Sequence, residues 1–122
     1  ESAVTSIKFN LDRNILISVD SGYQPRLIVW DWPHAREIES SLIPYKKRDQ
    51  PVLSTMVDLS GNMIVVVECE PTNHRLSVWD SNKNLTMLYT SDLEAESMSS
   101  SICFLSDGLT LAIVEPKVVK LW

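Results

Sequence analysis

Apolar runs lead into a tryptophan at three places along this chain. The runs are RLIVWDW, RLSVWDS and KVVKLW, and their tryptophans are Trp30, Trp79 and Trp122. These tryptophans are separated by 49 and then 43 residues. Self-similarity at a period of about 40–50 residues is typical of proteins that repeat one supersecondary unit. The pattern therefore predicts three copies of one unit, the third of them interrupted after its tryptophan.

Each unit contains three segments with strand patterns. The first segment alternates apolar and polar residues, as in Ile7 and Phe9 and again in Ile102 and Phe104, which is the period of a half-buried strand. The second and third segments are almost continuously apolar, as in MIVVV and LIVW, which indicates strands covered on both faces. We predict strands near residues 4–10, 14–20, 26–31, 52–58, 62–69, 75–80, 101–105, 109–115 and 118–122.

A polar turn separates the first two strands of every unit. The turns LDRN, LSGN and LSDG are rich in residues that tolerate tight-turn geometry. Aligning the units on these turns places Phe9, Val57 and Phe104 at one position. A fourth strand is predicted at 35–40 and at 85–90, although the first of these segments is also compatible with a helical turn.

The repeat predicts an all-β fold of antiparallel strands in one segment, residues 1–122. The units have four strands each, except the incomplete last one, and span about 4–40, 52–90 and 98–122. The alternative is a generic antiparallel sandwich in which the internal similarity is accidental. We expect these side chains to be buried: Ile7, Phe9, Ile17, Val29, Val57, Val65, Val78, Phe104 and Leu111.

Composition narrows the function classes. The chain has 122 residues, 44% hydrophobic and 22% charged, with a net charge of −5, which is an ordinary globular composition. A duplex nucleic-acid binder usually presents a basic face, and the one basic run, at 46–48, is best interpreted as a solvated loop. No apolar stretch has the length of about 18 residues that a membrane span needs. Two cysteines are too few for a disulfide scaffold.

Candidate catalytic and metal-binding motifs are weak. No G-x-S-x-G motif and no glycine-rich phosphate loop occurs. Cys69, Glu70 and His74 are possible metal ligands, but a stable site needs about four ligands of suitable geometry. The acidic run at 92–96 is most simply a solvated loop, with a basic partner segment as the alternative. We therefore expect no catalytic residue, no metal and no cofactor.

The repeated VWD motifs, the polar turns and the period resemble the WD-repeat β-propeller family over nearly the whole chain. Trp30-Asp31 and Trp79-Asp80 carry the resemblance, with Trp122 at the matching place of the third unit. The chain departs from the family pattern because no Gly-His pair precedes a first strand. The family's hydrogen-bond set of Asp, His, Ser or Thr and Trp therefore cannot be completed, and we expect packing to hold the blades.

A closer resemblance is to the amino-terminal propellers of cilia- and flagella-associated WD-repeat proteins. It rests on QPRLIVWDWP, a charged linker, and the following unit with its long loop between second and third strands. The resemblance implies a scaffold in the axoneme that tethers inner-arm dynein, with a coiled coil elsewhere in the parent chain. The implied partners are a paralogous WD-repeat protein, axonemal dynein or microtubule-associated components, and the location is cytoplasmic, cytoskeletal or ciliary.

In four-stranded blades, the loops between strands two and three and those between blades open at the same end. Both kinds are long here, and loops on a rigid scaffold are where binding usually occurs. This end is predicted to dock other proteins rather than nucleic acid or membrane. The candidate contacts are Tyr23, Pro25, Tyr45, Lys46, Lys47, Arg48, Glu70 and His74.

Known propellers use about 4–8 blades, so three units predict a fragment whose other blades lie outside this sequence or on another chain. The expected function is a non-catalytic scaffold for protein–protein interaction. The alternative is a propeller hydrolase with a site in the central channel. For that site the first strands offer only Lys8 and Asp58, which do not form a consistent ring.

Overall fold

The computed structural model describes most of the chain. The described residues are 4–10, 13–22, 24–43, 52, 54–69, 74–82, 84–93, 101–105, 107–108, 110–114 and 119–122. They contain eleven strands and one 3₁₀ turn at Trp32–His34. The strands are β1 (Val4–Asn10), β2 (Ile15–Asp20), β3 (Arg26–Asp31), β4 (Arg36–Leu42), β5 (Ser54–Ser60), β6 (Met63–Cys69), β7 (His74–Asp80), β8 (Thr86–Leu93), β9 (Ser101–Phe104), β10 (Leu111–Val114) and β11 (Val119–Leu121).

The all-β antiparallel prediction is confirmed. The strands form three sheets in the orders β1-β2-β3-β4, β5-β6-β7-β8 and β9-β10-β11, which we call sheet 1, sheet 2 and sheet 3. All paired strands within them are antiparallel. The segment at 35–40 is a strand, β4, and the helical alternative is confined to the short turn that precedes it. None of the described sheets closes on itself.

The three sheets stack in chain order. Strand β5 lies against β1 on one side and against β9 on the other. One apolar core lies between sheets 1 and 2, and it joins Ile17 and Val29 of sheet 1 to Val66 and Trp79 of sheet 2. A second core lies between sheets 2 and 3, and it joins Val67 and Leu76 to Ile102 and Leu111. Both faces of sheet 2 are therefore covered, which explains the continuous apolar pattern of β6.

The tryptophans occupy one register position in all three sheets. Trp30 lies opposite Leu16, Trp79 opposite Ile64, and Trp122 exchanges two backbone hydrogen bonds with Leu111. Paired residues of antiparallel strands point to the same face. Since Ile64 and Trp79 pack toward sheet 1 and Leu111 packs toward sheet 2, we call this side of each sheet its tryptophan face.

The alignment of Val57 with Phe9 and Phe104 is wrong by two residues. Phe9 lies opposite Leu16 and Phe104 opposite Leu111, whereas Leu59 takes this place opposite Ile64. The reason is the length of the hairpin turn. Only Gly61 and Asn62 separate β5 from β6, while four residues separate β1 from β2. The positive φ of 58° at Gly61 permits the shorter turn.

The burial prediction is confirmed for the cores and wrong for the first strand. Ile17, Val29, Val57, Val65 and Leu111 are buried, while Val78 and Phe104 are only half-buried. Ile7 and Phe9 are exposed, at 60% and 38% of the reference surface of the whole residue. The alternating pattern identified their shared face correctly. That face of sheet 1 is directed away from sheet 2, so neither of the other described sheets packs over it.

Candidate protein-interaction surfaces

Two connections meet at one end of sheet 1, which we call the loop end. Gly22, just after β2, and Val52, ahead of β5, exchange two backbone hydrogen bonds of 2.9 and 2.7 Å. Beside them the Ile43 N–H donates to the Pro25 carbonyl at 2.9 Å. The described ends of the loop between β2 and β3 and of the connection between sheets 1 and 2 therefore lie together.

Two of the predicted contact residues are not exposed. Pro25 is fully buried, and its carbonyl accepts the hydrogen bond from the Ile43 N–H. His74 is also buried, at 3% exposure, because it lies opposite Cys69 on the face of sheet 2 that sheet 3 covers. The expectation that these side chains face a partner is therefore wrong. The remaining candidates lie outside the described residues: Tyr23, Tyr45, Lys46, Lys47, Arg48 and Glu70.

A buried carboxylate near the loop end was missed by the sequence analysis. Glu68 is completely buried on β6 and lies opposite Arg75 of β7 and Thr55 of β5. Alternation along β6 places it on the same face as Val66, toward sheet 1. The sequence feature that indicates this residue is the one acidic position, Glu68, in the otherwise apolar segment MIVVVEC. Among the described residues, no group of three or more His, Cys, Asp or Glu is arranged to hold a metal ion.

The opposite end of the stack, the turn end, is connected through Arg13. The Arg13 guanidinium, in the turn between β1 and β2, donates to Asn62 Oδ1 and, at 3.2 Å, to Ser81 Oγ. Ser81 in turn donates from its hydroxyl to the Asn62 carbonyl at 3.1 Å. One side chain of sheet 1 thus binds two turns of sheet 2.

The corner between β3 and β4 holds a small charged cluster at the turn end. Asp31 Oδ2 lies 2.9 Å from His34 Nδ1 and accepts from Arg36 Nε at 3.3 Å. Burial on its own would raise the pKa of Asp31. The hydrogen bonds and positive charge of His34, together with Arg36, outweigh that effect and hold this pKa below its ordinary value. Asp31, singled out as a repeat marker, therefore also orders the corner after its tryptophan.

Asp58 on β5 joins all three sheets. Its Oδ2 accepts from the Phe104 N–H of β9 at 2.7 Å, and its Oδ1 accepts from the Leu59 N–H at 2.9 Å. The same oxygen lies 3.9 Å from Lys8 Nζ of β1. Lys8 and Asp58 are the two residues that the first strands offer for the alternative channel site. The structure brings them together, with the carboxylate bound to the backbone of the neighbouring sheet.

Both indole groups of the VWD motifs donate hydrogen bonds. Trp30 Nε1 donates to Ser18 Oγ at 2.8 Å, and Trp79 Nε1 donates to Ser77 Oγ at 2.9 Å. Ser18 and Ser77 both lie two register positions from the tryptophan, on the second strand of sheet 1 and on the third strand of sheet 2. Each indole of the two VWD motifs therefore has a serine partner within its own sheet.

Two sheet faces are not covered by another described sheet, although Ile28 on the first and Ala112 on the second are buried. The first is the tryptophan face of sheet 1, where Phe9 makes an edge-to-face contact with Trp32 at 5.2 Å between ring centroids. The second is the side of sheet 3 directed away from sheet 2, where Leu121 is 64% exposed. We call them the first open face and the second open face. The first contains Ile7, Phe9, Leu16, Ile28 and Trp30, and the second contains Cys103, Ala112, Val119 and Leu121.

Comparison with known proteins returned no matching family model, no matching curated protein and no matching solved structure. No helix among the described residues is long and apolar enough to cross a membrane.

Proposed function

We propose that the three sheets are consecutive blades of a WD-repeat β-propeller segment that serves as a non-catalytic scaffold for other proteins. The observation that carries this proposal is the repeated tryptophan face. In sheets 2 and 3 that face packs against the preceding sheet, and the first strands β1, β5 and β9 lie side by side. In a propeller, the first strands of neighbouring blades lie side by side around the central axis, and the later strands of each blade lie farther from that axis.

The same stacking supports the scaffold role. Sheet-on-sheet packing with side chains from both faces gives a rigid core, and rigid cores present loops in fixed positions. The contact between Gly22 and Val52 brings two of these connections to one end. The basic run at 46–48 belongs to the connection that Val52 closes. We place the partner-binding surface at this loop end.

The axonemal setting is part of the proposal and rests on the sequence resemblance alone. In that setting the partners are a paralogous WD-repeat protein, axonemal dynein or microtubule-associated components. A scaffold of this kind binds its partners without changing them chemically. Its specificity comes from the residues on its loops, because a fold by itself does not determine a function.

Charge reversal at the loop end tests the scaffold role. The full-length protein with Lys46→Glu, Lys47→Glu and Arg48→Glu is compared by quantitative proximity labelling in ciliated cells with the wild type. The matched control, Lys46→Arg, Lys47→Arg and Arg48→Lys, keeps the positive charge. We expect specific neighbours to be lost from the first variant and retained by the control. Identical neighbour sets for both variants would place the binding surface elsewhere.

The hydrolase alternative has its own test. Purified full-length protein is assayed against esterase, phosphatase, peptidase and glycosidase substrates, with Asp58→Asn as the comparison variant. The scaffold proposal expects no turnover above the buffer rate from either protein. Turnover by the wild type that Asp58→Asn abolishes would instead assign a catalytic site to the first strands.

A further inference from the structure

We propose that the open edge of β8 binds an extended segment of a partner protein as a fifth strand of sheet 2, with a cationic residue opposite Asp92 and an apolar residue opposite Tyr89. Such a segment gives the proposed scaffold a second binding surface, and the inference rests on that role. The surface is an edge of sheet 2 and not the loop end. Its test can therefore fail while the charge reversal at 46–48 still removes neighbours.

The edge belongs to the outermost strand of the middle sheet. β8 pairs with β7 on one side, and no other described strand pairs with it on the other side. Past the bulge at Leu88, residues 89–93 pair with β7 in unbroken register, which leaves a regular stretch of edge. The outward backbone N–H and C=O groups of such a strand are a template for another extended chain.

The outermost strand of sheet 1 provides an internal comparison. β4 begins with the sequence REIE, in which three of four residues are charged, and charges on an edge strand oppose pairing with another chain. The residues at 86–91 of β8 are uncharged, and Leu88 and Tyr89 among them are 57% and 48% exposed. Of these two edges, β8 is therefore the one that is suited to strand addition.

A row of alternating charge across sheet 2 determines the charge of the partner. Glu68 of β6 lies opposite Arg75 of β7, and Arg75 lies opposite Asp92 of β8. Paired residues of antiparallel strands point to the same face, where opposite charges stabilise a sheet and like charges destabilise it. The row is negative, positive and negative, and it ends on the exposed Asp92. The residue that an added strand places opposite Asp92 is therefore a lysine or an arginine.

The matching row of sheet 1 does not select a cation. Arg26 is the register equivalent of Arg75, because each lies four residues before the tryptophan of its strand. The partner of Arg26 on the outermost strand is Leu42, which is 52% exposed. Charge complementarity thus distinguishes the edge of β8 from the edge of β4.

An aromatic pair at the same edge provides the apolar contact. The ring centroids of Tyr89 and Trp122 are 5.9 Å apart, and both residues are about half exposed. Tyr89 and Asp92 are three residues apart on a strand and so lie on opposite faces. All described neighbours in this sheet are antiparallel, and an added antiparallel strand meets Asp92 first. The partner motif is therefore a cation followed three residues later by an apolar residue.

Peptide binding to the full-length protein tests strand addition without any variant of the protein. The probe is a fluorescein-labelled peptide whose centre reads Arg-Thr-Thr-Ile. Two further versions carry N-methyl groups on one or the other set of alternate backbone nitrogens. Only one set of N–H groups faces β8 in an added strand. By fluorescence anisotropy, one version should bind at least tenfold more weakly than the probe, and the other should bind nearly as well. Equal binding of both versions, or no binding of the probe, would overturn the proposal.

The bulges of the two outermost strands supply a matched pair of variants. Leu88 and Ile38 are the extra residues at these bulges and are 57% and 52% exposed. Leu88→Lys places a charge on the proposed edge and should weaken probe binding at least tenfold. Ile38→Lys makes the same change on β4 and should leave the binding nearly unchanged. An equal loss from both variants would overturn the assignment to β8.

A double-mutant cycle tests the residue opposite Asp92. Asp92→Asn in the protein and glutamine in place of the arginine in the peptide should each weaken binding, and the two changes together should cost little more than either alone. Additive losses would mean that the two charges do not face each other, which would overturn the proposed register.

Sedimentation equilibrium without peptide examines the other occupant of this edge, a second copy of the chain. We expect Leu88→Lys to leave the oligomeric state of the full-length protein unchanged. If Leu88→Lys dissociated an oligomer that Ile38→Lys retained, the edge of β8 would be occupied by a second copy and the proposal would be overturned.

Discussion

At the scale of single residues, contacts between sheets depend on a few polar side chains placed among apolar ones. Asp58 is the clearest case, because its carboxylate lies in the path between the first strands of all three sheets. Such a group is costly to bury unless it is hydrogen-bonded. Here two backbone N–H groups satisfy it, so the same residue that appears unfavourable in a strand sequence holds neighbouring sheets in register.

We predict that Asp58→Ala destabilises the folded chain by about 1–3 kcal/mol, because the Phe104 and Leu59 N–H groups lose their acceptor while remaining mostly shielded from water. Lys8→Met is the matched variant, since it removes only the exposed ion pair and should change the stability by less than about 1 kcal/mol. Urea unfolding at one protein concentration measures both. Equal losses for the two variants would mean that the ion pair, not the backbone contact, matters at Asp58.

A second residue-scale prediction concerns two phenylalanines at one register position. Phe104 packs against the core between sheets 2 and 3, whereas Phe9 lies on the first open face. In the 122-residue chain, Phe104→Ala should lower the free energy of unfolding more than Phe9→Ala does, as measured by urea unfolding at one protein concentration. In a closed ring both should cost about 3–5 kcal/mol. A larger loss from Phe9→Ala than from Phe104→Ala would contradict the placement of the two side chains.

At the scale of strands and turns, hairpin length decides which residues share a position. The turn between β5 and β6 has two residues and the turn between β1 and β2 has four. A strand side chain changes face with every residue. A difference of two residues in turn length therefore shifts the alignment of the first strands by two residues but leaves each side chain on the same face. For this reason Val57 and Leu59 both pack toward sheet 1.

Two turn glycines offer a matched prediction at this scale. Gly61 and Gly108 both have positive φ, 58° and 69°, which side chains disfavour by about 1–2 kcal/mol. A Cβ at Gly61 would meet nothing within 4 Å, whereas one at Gly108 would lie 2.8 Å from Ser60 Oγ. Gly108→Ala should therefore cost more than Gly61→Ala.

Ser60→Ala provides the check for that difference, because it removes the crowding atom. In a double-mutant cycle measured by urea unfolding, Ser60→Ala should reduce the cost of Gly108→Ala to about that of Gly61→Ala. If the double variant showed simple additivity, the contact between the turn of sheet 3 and β5 would not be the source of the extra cost.

At the scale of the whole molecule, the two open faces dominate the expected behaviour. Each exposes about a few hundred Å² of apolar surface, which marks an interaction surface in a folded protein. At roughly 25 cal/mol per Å², covering one face contributes several kcal/mol, comparable with the total stability of a small domain, about 5–15 kcal/mol.

We therefore predict that residues 1–122 in isolation do not form a stable monomer. Sedimentation and thermal unfolding over a range of protein concentrations measure this. The expected result is association, with a transition temperature that rises with concentration. A soluble monomer with a cooperative, concentration-independent transition would contradict the prediction and would favour the closed-sandwich alternative.

The sequence by itself determined the strands, their antiparallel order and the repeat. Alternating and continuous apolar runs report local burial on one or two faces, and this signal is contained in neighbouring residues. For this reason β3 and β7 were predicted nearly at their observed bounds, and Ile17, Val29 and Leu111 were identified as core residues.

Tertiary structure alone decided which of those faces are covered and which loop residues are accessible. The pattern that marks Ile7 and Phe9 as apolar positions is the same whether or not a sheet packs over them, so exposure could not be read from it. The burial of His74 follows from the packing of sheet 3 on its face of sheet 2. The contacts of Asp58 and Arg13 join residues 46 to 68 positions apart along the chain, and no local pattern encodes pairings over such distances.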